Sequence, residues 1–138
     1  MVRYERIDHT ADLGIRVFGQ TPAELFEHAG FALFDCITDI TRIAVQEKRS
    51  FSLQRDSLEE LLVEWLNELL FVYDTEQMLF ASFSVTLPTC MSLRATVGGE
   101  QYRTGAHVIK KYIKAATYHN LAITCCQGIW QATIVFDV

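Results

Sequence analysis

Hydrophobic and polar positions change their period several times along this chain. From Leu13 to Val17 every second residue is apolar, with Gly14 and Arg16 between them, which predicts a half-buried strand. The sequence "TPAE" follows. Thr21 suits an N-cap, Pro22 is preset for the first helical position, and Glu24 can reach back to the cap amide, so a helix is predicted over about residues 22–37. Residues 42–54 mix β-branched and aromatic side chains with polar ones, as a strand on a partly solvated face does. Leu58, Leu61, Leu62, Trp65, Leu66, Leu69, Leu70 and Tyr73 then recur at steps of three and four, after Asp56 or Ser57 as cap. Glu59, Glu60, Glu64, Asn67 and Glu68 lie opposite, so this second helix turns an acidic side outward.

The period drops to two again at Leu79, Ala81, Phe83, Val85 and Leu87, turns at Pro88, and resumes at Met91, Leu93, Ala95 and Val97, the pattern of a hairpin. "GGEQYRTGAHVIKK" reads as a loop with turn glycines. Two last strands are predicted over about 112–124 and 129–137, joined near Gly128. In the final one Trp130, Ala132, Ile134 and Phe136 share a face, which leaves Asp137 off the core. The order β-β-α-β-α followed by four strands argues for an α+β fold, with two helices packed on mostly antiparallel β-sheet. No internal repeat interrupts it.

Composition narrows the class without changing this picture. The 138 residues fit one domain spanning 1–138, and 50% apolar with 21% charged residues is enough to build a core. No run approaches the length of a membrane span and the polar start lacks a secretory signal, so a cytoplasmic protein with no membrane association is expected. Cys36, Cys90, Cys125 and Cys126 have no C-x-x-C spacing and read as reduced thiols in core or sheet. The net charge is −5, and only Lys110, Lys111 and Lys114 cluster. A protein that holds RNA unaided usually carries a basic stripe, so no direct stable nucleic-acid binding is expected.

The candidate chemistry lies in "DHTADLGI", Asp8 to Ile15. One reading has Asp8, His9 and Thr10 hydrogen-bonding a loop before the strand. The other joins Asp12 to the end of the chain, where Asp137 precedes Val138 and its α-carboxylate, of unperturbed pKa about 3.5. Three carboxylates in one place need a cation among them, and hard oxygen donors select Ca²⁺ or Mg²⁺. Lys114, Tyr118 and His119 interrupt a late strand, as edge or hydrogen-bonding residues also do. Paired H-x-T or H-x-S motifs are missing, because His9 is followed by Thr10-Ala11 and His119 by Asn120-Leu121. Nucleophile-elbow, phosphate-loop and paired C-x-x-C signatures are missing too. A metal-dependent phosphoesterase using Asp12 and Asp137, with His9 or His119 as base, is the enzymatic alternative.

Taken together, "DHTADLGI", "LFEHAGFALFD", "WLNELLFVYD", "KAATYHNL" and "IVFDV" resemble the archease family, in the same order over essentially the whole chain. The resemblance implies a non-catalytic activator of the RtcB-type tRNA-splicing RNA ligase, promoting ligase guanylylation and multiple turnover. It implies a divalent cation, Ca²⁺ with Mg²⁺ as the alternative, held by Asp12, Asp137 and Val138. Lys114 matches the family's functional lysine, with His9 and His119 as further activation or partner-contact residues. A general chaperone or adaptor in RNA processing is the competing reading.

Overall fold

Each helix starts where its cap dictates. In the computed structural model, which describes residues 2–7 and 12–138, α1 (Pro22–Ile37) follows Thr21, whose hydroxyl accepts the Glu24 N–H at 3.1 Å. α2 (Leu58–Glu76) follows Ser57, whose hydroxyl accepts the Glu60 N–H at 3.2 Å. In both caps the returning carboxylate takes the N–H just before the cap residue: Glu24 takes Gln20 at 3.0 Å and Glu60 takes Asp56 at 3.0 Å. Each cap thereby satisfies one orphan helix donor, and the carboxylate ties down the residue before the cap, one position upstream of the cap amide expected for Glu24.

The strands are β1 (Tyr4–Ile7), β2 (Leu13–Gly19), β3 (Glu47–Gln54), β4 (Met78–Thr89), β5 (Ser92–Gln101), β6 (Ala115–Cys126) and β7 (Ile129–Asp137). They form two sheets, ordered β1-β2-β7-β6 and β3-β5-β4, and every pairing is antiparallel. The fold is therefore α+β as expected, with the strands divided between two sheets. α1 packs on β2 of one sheet and β4 of the other, while α2 packs mainly along β6 and touches all three strands of the smaller sheet. Between them lies one core in which Phe34 meets Tyr73, Phe80 and Phe83, and Trp65 meets Phe51 and Phe83. The Trp65 indole donates to the Phe26 carbonyl at 2.9 Å and so ties the helices together.

Four boundaries differ from the sequence reading. The strand expected over 42–54 begins only at Glu47, because the Asp39 carboxylate accepts both the N–H and the hydroxyl of Thr41 and starts a 3-10 turn, Ile40–Arg42. Pro88 lies within β4, where the register shifts, and the turn falls at Cys90 and Met91. Gly98–Gln101 belong to β5. Their glycines serve close approach, not a turn: a Cβ on Gly99 would sit 1.8 Å from the Leu79 carbonyl oxygen. Finally, β6 starts at Ala115, and Tyr112–Lys114 precede it. The β6–β7 hairpin turns through Gln127 (φ 54°) and Gly128 (φ 79°), two positive φ values in a row as a type I′ turn requires. Of the cysteines, Cys36 is buried, Cys125 and Cys126 are on exposed positions of β6, Cys90 is in the exposed turn, and all four are free.

Candidate functional site

The antiparallel ladder brings the expected residues together. β7 is an interior strand, with β2 on one side and β6 on the other. Leu13 pairs with Phe136, so Asp12 and Asp137 each stand one residue beyond that pair. Leu13 and Phe136 both face the core, and Asp137 is exposed, as its position in the strand predicts. On the other side Ala115 pairs with Asp137, and the Lys114 N–H donates to the Asp137 carbonyl at 2.8 Å. Val138 follows, packed in part against the core. Asp12, Asp137, Val138 and Lys114 thus gather at one end of β7, with the Lys114 side chain exposed.

His119 is elsewhere on the same strand. Between Thr117, opposite Val135, and Ala122, opposite Thr133, β6 carries Tyr118, His119, Asn120 and Leu121 against Ile134 alone. The strand bulges there, with Asn120 at φ 55°. The His119 N–H donates to the Thr117 hydroxyl at 3.3 Å. Tyr118 is exposed, and its hydroxyl is pushed above its usual value by partial burial first, then by Glu64 and Glu60 of α2. His9, with Asp8 and Thr10, lies outside the described residues.

Two arrangements that support this end of the sheet carry no mark in the sequence. Asn67 is not on the solvated side of α2. Its amide oxygen accepts the Ala116 N–H at 2.8 Å and its amide nitrogen donates to the Ala116 carbonyl at 3.2 Å, so it pairs with edge strand β6 as another strand would. Glu27 of α1 does half as much for the opposite sheet, accepting the Val85 N–H at 2.9 Å. An amide four residues from an aromatic in a helix cannot be told from a surface amide by period alone.

The second arrangement shapes the loop 102–114. Buried Glu100 accepts from the Ala44 N–H at 2.8 Å, from His107 Nε2 at 2.9 Å and from the Arg103 guanidinium at 3.2 Å. His107 Nδ1 accepts the Arg103 N–H at 3.0 Å, which leaves Nε2 as the ring's donor to Glu100. The Ala44 N–H, then His107 and Arg103, hold the Glu100 carboxyl below its ordinary value.

As a donor set, the end of β7 offers hard oxygens, the carboxylates of Asp12 and Asp137. That chemistry suits Ca²⁺ or Mg²⁺ and disfavours zinc. Among the described residues no group of three or more His, Cys, Asp or Glu side chains is placed to hold a metal ion. A fit to either cation therefore needs further oxygen donors beside the two aspartates.

Residues 4–138 match the model of the archease protein family (MTH1598/TM1083). The chain belongs to the archease family. It is 34% identical to protein archease of Methanosarcina mazei over 140 residues, covering 99% of this chain and 96% of that one. Identity to protein archease of Pyrococcus abyssi is 36% over 142 residues and the whole of both chains. The solution structure of Methanobacterium thermoautotrophicum protein 1598 superposes with a TM-score of 0.84, at 31% identity and 99% coverage of each chain. A Thermotoga maritima crystal structure, described as an archease and possible chaperone, shares the fold, with a TM-score of 0.63 and 21% identity over 97% of this chain and 96% of that one. Among the described residues no helix is long and apolar enough to cross a membrane.

Proposed function

We propose that this archease activates an RtcB-type RNA ligase, supporting ligase guanylylation and repeated turnover without being the catalyst. The observation that carries the reading is the convergence of Asp12, Asp137 and Lys114 around the end of interior strand β7. Asp12, Asp137 and the Val138 carboxylate would hold a divalent cation, Ca²⁺ or Mg²⁺. Bound there, it supplies neutralisation of carboxylates that otherwise repel one another. The chain's own residues do the rest. The β2–β7–β6 ladder sets Asp12 and Lys114 on either side of Asp137, and Asn67 holds β6 against α2 next to them. The exposed Lys114 ammonium offers a charged contact to a partner beside an acidic centre, and such paired charges steer association.

The test is multiple-turnover RNA ligation with limiting cognate ligase and excess RNA, comparing no addition, this protein and its Asp12→Asn form. A rise in turnover with the intact protein and not with the variant supports the reading. No rise with the intact protein overturns it. Equal protection of unrelated proteins from aggregation, without an effect specific to the ligase, would favour a general chaperone.

A further inference from the structure

Where α2 ends, the loop 102–114 folds over its last turn and encloses a cleft of about 220 Å³ lined by Tyr73, Asp74, Gln77, Tyr102, Ile109 and Tyr112. Half of that lining is phenol rings. They come from two segments, Tyr73 and its neighbours from the helix end and the others from the loop.

The framework of the cleft is tied down. Gln77, in the left-handed conformation at φ 57°, ends α2, and its carbonyl accepts the Tyr102 N–H at 2.8 Å. The Tyr73 ring stands edge-on to Phe34, with centroids 6.3 Å apart. The loop is stitched to the end of α1 by Lys110 N–H to the Ile37 carbonyl at 2.7 Å and by the Thr38 hydroxyl to the Val108 carbonyl at 2.6 Å. Tyr102 lies against His107, 6.1 Å between centroids, and that ring is itself held between Glu100 and Arg103. Tyr112 forms the exposed wall, at 55% exposure.

The lining selects by charge. Aromatic faces are negative at their centres, Asp74 adds a full negative charge, and none of the six lining residues is basic, the exposed Lys110 and Lys111 lying between Ile109 and Tyr112 in the chain. The Tyr73 hydroxyl is held above its usual value by burial first, then by Asp74, Tyr112 and Tyr102, which is what an electronegative pocket does to a phenol. An anion meets repulsion here, and a purely apolar guest would desolvate Asp74 and Gln77 without repayment. A weakly hydrated organic cation meets three tyrosines, an aspartate and a glutamine.

We propose that this cleft is an aromatic cage for an organic cation, a guanidinium or ammonium group, from a partner protein's side chain or a free polyamine. The assignment is independent of the ligase reading. It is tested by titrating N-acetyl-arginine amide, spermidine and, as the competing class, a nucleoside monophosphate into the isotopically labelled full chain, following the tyrosine ring signals by NMR. Either cation should shift Tyr73, Tyr102 and Tyr112 together. Tighter binding of the arginine amide assigns the cage to a protein side chain, and tighter binding of spermidine to a polyamine. Tyr112→Ala should weaken binding about threefold, the equivalent of one exposed cation–π contact, Asp74→Asn should weaken it comparably, and Tyr112→Phe should leave it unchanged. Backbone spectra verify that each variant is folded. Tighter binding of the nucleotide, no ring response to either cation, or a Tyr112→Phe loss as large as that of Tyr112→Ala would each overturn the proposal.

Discussion

Replacing Asn67 with alanine removes the side chain that pairs both polar groups of Ala116, at 2.8 and 3.2 Å. Ala116 itself is 5% exposed, so water reaches its N–H and C=O poorly once the amide is gone. A neutral hydrogen bond contributes about 0.5–1.5 kcal/mol net, and a buried group left unsatisfied costs about 1–3 kcal/mol. Two bonds to one largely buried residue therefore set the expected loss at about 2 kcal/mol. For a domain of this size that corresponds to a fall in Tm of about 6–8 °C. Urea unfolding should show a lower midpoint with an unchanged slope, because the surface exposed on unfolding is nearly the same. Asn67→Asp separates the two bonds: the carboxylate still accepts the Ala116 N–H but faces its carbonyl without a proton. At neutral pH it should be about as unstable as the alanine form, and it should recover as the carboxyl protonates and can donate. A loss below about 0.5 kcal/mol for Asn67→Ala would mean that water solvates this edge, and would refute the idea that a helix amide stands in for a strand.

Asp12→Asn, or an added C-terminal residue that removes the Val138 carboxylate, should weaken Ca²⁺ binding about tenfold or more by calorimetry, as loss of about 1.4 kcal/mol of ligand interaction would. Chelation of the cation should lower ligase activation by the intact protein to the level of the variant. Glu100 is held below its ordinary value of 4.5, so its stabilisation is present above that pH and is lost as pH falls through the lower, folded value. Glu100→Gln should flatten that acid limb in pH-dependent unfolding curves, while a limb as steep as the parent's would rule out this carboxylate as its source. Gly99→Ala should cost about 3 kcal/mol or more, because the new Cβ would meet backbone of Leu79 and not a movable side chain. Thermal unfolding within a degree of the parent would show that the β4 backbone at Leu79 can relax.

α1 was legible from its start, Thr21 with Pro22 and Glu24, and α2 from a period of three and four sustained over many residues after Ser57. β7 was read to the residue, since every second position from Trp130 to Phe136 is apolar, although Val135 between them is buried as well. The same alternation correctly put Asp137 off the core. Gly98 and Gly99 misled because a glycine pair marks a turn when backbone must bend and a strand when backbone must pass close, and only the neighbouring strand decides which. Asn67 was hidden for a related reason: an amide that serves a strand is chemically the same as one that serves water. Glu100 and His107 sit seven residues apart across a strand end and a loop, a spacing with no period. That the two ends of the chain meet beside β7 was a guess from carboxylate chemistry and family likeness. Nothing in the local pattern specifies strand order.

The interior position of β7 also governs how the sheet can be assembled. β2 leaves the ribosome long before β7, yet they are neighbours, and among the described residues β6 pairs with no strand except β7. Until residues 129–137 emerge, the larger sheet is limited to the short β1–β2 hairpin, which is marginal in water. Synthesis thus proceeds with α1, the smaller sheet and α2 available to condense first on local contacts, and closure of the larger sheet comes last. The grouping of Asp12, Lys114 and Asp137 comes into being in that same closing step, so a nascent chain interrupted before β7 presents none of it.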